Sequence, residues 1–172
     1  MKIKKIASLC KQDKQLNMLL TEDGPWIGTS YAMYFTPELK GIGEDGIYAV
    51  LDIPEDKKHS IPISYIAEDK IDTSDINEAV KDRPLDRMRL RIEFGGELMP
   101  LLESGGKVML VRPRYLSPLP SDVECYKRNG LIYVKRGMCL LAVITPIINT
   151  SEELLTELEY VTAHIRELIQ QE

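Results

Sequence analysis

Few residues of the kinds that define disulfide-rich, metal-binding or membrane proteins occur in this sequence. Its 172 residues include three cysteines and two histidines. Cysteines that are odd in number and far apart argue against a disulfide framework and favour a reducing compartment, so we expect a cytoplasmic protein. No apolar run is long enough to cross a membrane, and Lys11 interrupts the charged start before a secretory signal forms. We therefore expect no contact with a membrane.

The chain also has no basic excess. Its 22 lysines and arginines are outnumbered by 27 aspartates and glutamates, which gives a formal net charge of -5. Dedicated nucleic-acid-binding domains usually carry a positive charge, so this balance argues against that class while it leaves room for a local basic face. Hydrophobic residues make up 44% of the chain, which is enough to bury a substantial core. We predict a single domain over residues 1–172.

Residues that would build a metal or thiol centre do not form a pattern. There is no Cys-x-x-Cys motif, and His59 and His164 have no neighbour at the spacing of metal ligands, so we predict neither a metal nor a cofactor. A cysteine nucleophile and a histidine base meet in space and not in sequence, so that alternative stays open. Cys139 lies in an apolar run and is interpreted as a small buried hydrophobe.

One glycine-rich stretch matches a dinucleotide-binding pattern, with glycines at positions 41, 43 and 46. In that pattern the glycines let the backbone approach a pyrophosphate at a helix N-terminus. Here Glu44 and Asp45 would oppose the phosphates, and Pro54 ends the segment before a long helix can form. We interpret the stretch as a turn before a short helix capped by Asp45. A catalytic protein is the less favoured class.

A hairpin in the C-terminal half is the strongest structural signal. Two β-prone runs, 123–127 and 131–134, flank the pair Asn129-Gly130, which tolerates positive φ. The next run, 138–144, is apolar without alternation, which is typical of a strand covered on both faces. We predict that this run is the central strand of the sheet.

The remaining elements follow from spacing and alternation. Residues 88, 90, 92 and 94 are apolar and alternate with polar residues, which predicts a strand with one buried face. Residues 98–102 are interpreted as a short helix. Further predicted elements are a helix over 3–14, strands over 16–20, 26–35 and 108–111, and an edge strand over 61–66.

The C-terminal segment predicts an amphipathic helix over residues 150–171. Thr150 and Glu153 form a capping box, in which each side chain satisfies an amide of the first turn. Too few heptads are present for a coiled coil, so we expect the apolar stripe to pack on the protein's own sheet. The stripe consists of Leu154, Leu158, Val161, Ile165 and Leu168.

The order of elements suggests an internal duplication. In each half a short helix and strands surround an Asp-Gly or Asn-Gly turn, and the unit ends at a Thr-Pro pair. The alternative is that Asp-Gly, Asn-Gly and Thr-Pro pairs are common wherever strands end and do not indicate a duplication. We predict an α+β fold with a mainly antiparallel sheet and short helices. Its parts are pseudo-repeats at 1–66 and 85–148, a polar, acidic linker at 67–84 and the C-terminal helix.

Two stretches and one unit of the chain carry resemblances. Residues 24–28 read Gly-Pro-Trp-Ile-Gly, and residues 51–55 read Leu-Asp-Ile-Pro-Glu. The chain as a whole, most clearly at these two stretches, resembles small uncharacterised proteins of prophages and integrated elements of Gram-positive bacteria. That group implies no activity. The helix-then-strands unit that ends at Pro146 is similar to the repeat of DNA sliding clamps, the ring-shaped processivity factors of polymerases. Two such units would make about one clamp domain, so this similarity implies that encircling DNA needs a ring of several subunits.

Arginines form the one patterned set of polar residues. Three alternate with apolar residues on the strand predicted around residue 90, and two repeat the same spacing on a nearby candidate strand. On neighbouring strands, five guanidinium groups would share one surface able to hold phosphates or an acidic partner by bidentate contacts. The alternative is a solvated face whose arginines pair with acids such as Glu93 and Glu97 and contribute little. The five are Arg87, Arg89, Arg91, Arg112 and Arg114.

These observations favour a non-catalytic binding or accessory protein of a mobile element. We expect its partner to be nucleic acid or an acidic protein surface, contacted through the arginine face. One alternative is a clamp-like DNA-associated factor, and another is a small hydrolase or nucleotide-handling enzyme. The sequence does not determine the oligomeric state.

Overall fold

Tight turns between β-prone runs arrange most of the chain into antiparallel strands. The computed structural model describes residues 1–78, 81–147 and 152–170. Short 3-10 turns lie at Pro37–Leu39, Glu55–Ser60 and Glu68–Lys70. The other elements are α1 (Ile3–Asp13), β1 (Leu16–Thr21), β2 (Gly24–Thr29), β3 (Ala32–Phe35), α2 (Glu44–Val50), β4 (Ile63–Tyr65), β5 (Arg83–Phe94), β6 (Glu97–Ser104), β7 (Lys107–Leu110), α3 (Pro113–Leu116), β8 (Glu124–Arg128), β9 (Leu131–Arg136), β10 (Cys139–Ile144) and α4 (Glu152–Gln170).

Among the described residues, ten strands lie in the order β4-β1-β2-β3-β10-β9-β8-β5-β6-β7. Every neighbouring pair is antiparallel except β1 and β4, which run parallel. The predicted α+β fold with a mainly antiparallel sheet, short helices and a C-terminal helix is therefore confirmed. None of the described helices is both long enough and apolar enough to cross a membrane.

The predicted hairpin is present as β8 and β9. Asn129 and Gly130 adopt φ angles of 51° and 79°, as a two-residue type I′ turn requires. The following strand, β10, lies between β9 and β3 near the middle of the sheet, and its last three residues are buried. Cys139 is exposed, so its predicted burial is wrong. It opens β10 beside Met138, which is 92% exposed.

Three local predictions are wrong for identifiable reasons. The strand predicted over 26–35 is divided into β2 and β3 by a turn at Ser30 and Tyr31. The helix predicted over 98–102 is strand β6, because a short apolar run buried from both sides has no distinguishing period. The helix α2 begins at Glu44, and Asp45 forms an ion pair with Lys58 at 2.7 Å instead of capping.

Three apolar cores bury the faces of the sheet. The first joins α1, α2 and α3 to one face and includes Ile6, Ile47, Tyr115, Ile27 and Ile132. The second, on the opposite face, consists of Leu19, Trp26, Met33, Tyr126, Tyr133 and Val143. The third joins α4 to β5, β6 and β7 through Leu101, Val108, Leu110 and Leu158. Helices α1, α2 and α3 therefore pack on one face of the sheet through the first core, whereas α4 packs through the third core.

The described part of the acidic segment predicted as a linker, residues 67–78 and 81–84 and called segment 67–84 below, lies against the second core. Ile71 and Ile76 are partly buried there, and β5 already begins at Arg83. Segment 67–84 therefore covers a sheet face that the helices leave open. A similar order of elements occurs on both sides of it, since α1 precedes the meander β1-β2-β3 and α3 precedes the meander β8-β9-β10.

Helix α4 contacts the sheet through residues spaced by one turn. Leu158 is buried and Leu154 is half-buried, both in the third core. Val161, predicted in the same stripe, is 41% exposed, whereas Thr162 is 2% exposed. Positions 154, 158 and 162 therefore form the inward row, because residues four apart share a helix face. The predicted cap Thr150 and the side chains of Ile165 and Leu168 lie outside the described residues.

Candidate functional site

The predicted arginine surface is divided by the fold. Arg87 and Arg91 are exposed on β5, and the side chain of Arg89 lies outside the described residues. Arg112 directly precedes α3 and Arg114 lies within it. The interpretation that these two lie on a strand is wrong, since β7 ends at Leu110, and the condition that this strand neighbours β5 is not met, because β6 separates β5 from β7. The misassigned β6 is the physical reason: as a helix it would have left β5 and β7 free to pair.

Arg87 and Arg91 nevertheless share one face of β5. The pairing register shifts between them, but Arg87 opposes Leu102 and Arg91 opposes Pro100. Leu102 and Pro100 are alternate residues of β6 and therefore point to the same face. Leu102 belongs to the first core, so the two arginines project on the side of the sheet that carries α1, α2 and α3. Met88, Leu90 and Ile92 of β5 pack in the third core with α4 instead.

The other two arginines line a cleft of about 550 Å³ where α1, the β2–β3 turn and α3 meet. Phe94, the last residue of β5, also lines it. The rings of Tyr31 and Tyr115 stack across it, with centroids 5.8 Å apart and planes at 23°. The cleft is therefore polar at its arginines and aromatic at one wall.

Arg114 is held inside this cleft by protein groups. Its Nη2 lies 3.1 Å from Asp13 Oδ1 and donates to the hydroxyl of Tyr115 at 2.8 Å. That hydroxyl donates in turn to Asp13 Oδ2 at 3.1 Å. Burial raises the pKa of Tyr115 to about 12, and the charge of Asp13 acts in the same direction. Tyr115 therefore stays neutral, and the charge of Arg114 is matched by one buried carboxylate.

Arg112 is also paired with an acid. Its Nη1 lies 2.8 Å from Glu97 Oε2, and both side chains are a little over one-third exposed. This pair agrees with the alternative interpretation, in which arginines neutralise nearby acids at the surface. An exposed pair of this kind contributes about 0–1 kcal/mol. Of the described arginine side chains predicted at the site, only Arg87 and Arg91 form no ion pair with another described residue.

The groups suggested for catalysis are dispersed. Burial raises the pKa of Cys10 to about 12 and that of Cys125 to about 11, so both thiols stay protonated at neutral pH and are poor nucleophiles. His59 and His164 are exposed. In the part of the chain that the structure describes, no group of three His, Cys, Asp or Glu residues could hold a metal. The glycine-rich stretch leads into α2, which has only seven residues.

Arg128 is a buried arginine that the sequence analysis does not single out. Its Nε and Nη2 donate to the two carboxylate oxygens of Asp82 at 2.5 and 2.8 Å, and neither side chain is exposed. The guanidinium also donates to backbone carbonyls in residues 72–75 at 2.8 to 3.2 Å. Its Cζ lies 4.5 Å from the ring centroid of Tyr133. Arg128 therefore fastens segment 67–84 to the second face of the sheet.

A sequence signal for Arg128 exists in the alternation of β8. Tyr126 and Arg128 fall on one face of the strand, and Tyr126 is part of the second core. An arginine on an apolar face needs a buried acid partner, because an isolated buried charge is very costly. The hydrogen bond from Arg128 holds the pKa of Asp82 below its ordinary value. The alternation therefore predicts that Arg128 has such a partner, and the fold supplies it as Asp82.

Neither a protein-family model, nor a curated protein, nor a solved structure matches this chain.

Proposed function

We propose that this chain is a non-catalytic accessory protein of a mobile element, acts in the cytoplasm, and binds a nucleic-acid backbone through Arg87 and Arg91. The observation that supports the binding surface is this pair of exposed cations on one face of β5, which no described acid neutralises. The link to a mobile element rests on the resemblance carried by residues 24–28 and 51–55. The three free cysteines support a reducing compartment.

Spacing and charge set the expected mode of binding. Arg87 and Arg91 oppose alternate residues of β6, so they lie about 7 Å apart along the sheet. A separation of about 7 Å is close to the spacing of successive phosphates along one extended strand, so the two guanidinium groups can contact neighbouring phosphates. The net charge of -5 repels a polyanion, and salt confines the local attraction to about 8 Å. Binding is therefore weak, indifferent to sequence and lost as salt rises.

Fluorescence anisotropy of labelled single- and double-stranded DNA at low salt tests this surface. The variant is Arg87→Glu/Arg91→Glu, and the matched control is Lys57→Glu/Lys70→Glu, which changes the net charge equally at exposed residues elsewhere. The first variant should lose about tenfold or more in affinity, and its salt slope should fall by about 2. Equal affinity of the two variants, or no binding by the wild type, would refute the proposal.

A clamp-like DNA factor is a second candidate, favoured by the strand order. The meanders β1-β2-β3 and β8-β9-β10 meet edge to edge at the antiparallel pair β3 and β10. Each follows a helix on the first face, and α1 exposes Lys4 and Lys5 to solvent there. Helices on one side of a paired sheet would face DNA inside a ring.

A ring makes two physical demands that can be measured. Its molar mass by light scattering must be a multiple of the 19.6 kDa chain, and it must stay on circular DNA but slide off the same DNA once linearised. A monomer at every concentration, or equal retention on both DNA forms, would exclude the clamp candidate and leave the Arg87 and Arg91 surface unaffected.

A further inference from the structure

A second basic feature lies at the turn end of the β8–β9 hairpin. It is a cleft of about 580 Å³ lined by three cations, Lys81, Arg83 and Lys127, and by uncharged residues of two turns, Ser104, Gly105 and Asn129 among them. None of the described residues that line it is acidic. A concentrated positive charge inside a concave surface attracts anions more strongly than the same charge on a convex one.

Two of these cations oppose each other across a strand pair. Arg83 on β5 is in register with Lys127 on β8, which places directly opposed residues about 4.5–5.5 Å apart at Cα. Like charges in this relation destabilise a sheet. Among the described residues neither cation has an acid within ion-pair distance.

The β8–β9 hairpin also contains a cross-strand pair of opposite charges. Three residues before Lys127 on the same strand, Glu124 opposes Lys135 in register, and their charged atoms lie 3.2 Å apart. That pair is an opposite-charge pair of the kind that stabilises antiparallel strands. Arg83 and Lys127, paired between β5 and β8, instead carry like charges, and an anion between the two side chains would relieve the repulsion between them.

The third cation is partly neutralised. Lys81 Nζ lies 2.7 Å from Asp72 Oδ2 and donates to Ser74 Oγ at 2.6 Å. Both partners belong to the segment that Arg128 fastens to the opposite face. Lys81 thus forms a fixed wall of the cleft, whereas Arg83 is exposed and Lys127 half-buried. The free donors of the cleft are those of Arg83 and Lys127.

We propose that this cleft is a phosphate-binding site in which Arg83 and Lys127 share the oxygens of one phosphate group. The planar guanidinium offers two parallel donors and the ammonium a compact charge, a combination suited to tetrahedral oxyanions. The phosphate belongs to a nucleotide or to a nucleic-acid backbone. The site is separate from Arg87 and Arg91 and does not depend on their function, although Arg83 and Arg87 lie on the same strand.

The test uses the full chain and inorganic pyrophosphate at constant ionic strength. Titration followed by amide NMR should give saturable shifts at Gly105 and Asn129, with a dissociation constant on the order of 1 mM or below. Arg83→Gln/Lys127→Gln should weaken binding by about tenfold or more. The control Lys57→Gln/Lys70→Gln, which removes two charges elsewhere, should change it by less than about threefold. Single-stranded oligothymidylate in a parallel titration separates a backbone phosphate from a free one.

Stability separates a binding role from a structural one. Without ligand, Arg83→Gln/Lys127→Gln should unfold at the same or a higher denaturant concentration than the wild type, because a like-charge pair has been removed. Lys127→Gln alone should show the same two effects in smaller measure and serves if the double variant does not fold. Undiminished binding in these variants, or no saturable binding of pyrophosphate or oligothymidylate, would overturn the site. Arg87→Glu/Arg91→Glu should still bind pyrophosphate, whatever its affinity for DNA.

Discussion

Lys127 and Arg128 are consecutive residues of one strand, and the fold uses their charges in opposite ways. Arg128 faces the second core, fully buried, with Asp82 across its guanidinium. Lys127 faces the other side, half-buried, opposite a second cation. The two side chains diverge because successive residues of a strand point to opposite faces. One end of one hairpin thus carries a cation fixed in the structure and a cation available to a ligand.

The contrast explains how an acidic chain comes to present basic surfaces. Asp72 and Asp82, both in segment 67–84, are drawn to the second face by Arg128. Acids held there are not available to neutralise Arg83, Arg87 or Lys127 on the first face. A net charge of -5 is therefore a poor guide to any single face of this protein.

The largest effect should follow loss of the buried cation. Arg128→Ala leaves the carboxylate of Asp82 buried without its partner, so we expect a loss of about 3–5 kcal/mol in the free energy of unfolding, measured by chemical denaturation. Lys127→Ala should change stability by no more than about 0.5 kcal/mol. Arg128→Ala/Asp82→Ala should recover part of the loss, since it removes the stranded charge. Similar effects of Arg128→Ala and Lys127→Ala would contradict the assigned difference between the two faces.

The apolar contact of Leu158 can be compared with the ionic contact of Arg128. Leu158 fastens α4 to the third core as Arg128 fastens segment 67–84 to the second face. Leu158→Ala should lower the free energy of unfolding by about 2–5 kcal/mol, with a value in the lower half expected because the site lies near the edge of the sheet. A denaturation midpoint equal to that of the wild type would mean that α4 is not docked in solution.

The pH dependence of stability should distinguish the same two faces. The pKa of Asp82 is held below its ordinary value by the hydrogen bond from Arg128. A carboxyl whose folded-state pKa is lowered stabilises the protein above its unfolded pKa of about 3.9, and that contribution is lost as pH falls further. Asp82→Asn should therefore reduce the loss of stability between about pH 5 and pH 2, in urea titrations at each pH. Lys127→Ala should leave the loss of stability at low pH unchanged. A change there would mean that the charge of Lys127 lies close to Asp82.

The features that could be predicted from the sequence are those whose cause is local. Asn129-Gly130 specifies its own turn, and the alternation over residues 87–94 predicts a strand with one buried face, so β8, β9 and the C-terminal part of β5 lie where the sequence predicts them, although β5 begins earlier, at Arg83. The helix predicted over residues 98–102 was wrong because a short apolar run has the same periodicity in a buried strand and in a short helix. The predicted grouping of the five arginines on one surface depended on that helix, because the order of the strands decides which cations are neighbours.

Two cation sites depended on contacts that no local pattern contains. Asp82 and Arg128 lie 46 residues apart in sequence, and only the folding of segment 67–84 across the sheet brings them together. Arg83 meets Lys127 through the register of β5 against β8, which the intervening β6 and β7 do not reveal. Alternation gives the face on which a charge lies, but the partner on that face comes from the topology.

The smallest expected effect has the opposite sign to the others. Lys127→Glu places a carboxylate opposite Arg83, so the cross-strand pair becomes attractive, and the free energy of unfolding should rise by about 0.2–1 kcal/mol. The matched control is Lys135→Glu, which sets two carboxylates opposite each other at Glu124 and should destabilise by a similar amount. Both variants change the net charge equally, so the opposite signs of their effects report the cross-strand partner, although Lys135→Glu also removes a cation–π contact with Tyr126. If Lys127→Glu lowered the midpoint as Lys135→Glu does, Lys127 would have a stabilising partner in solution and would not be the free cation of the basic cleft.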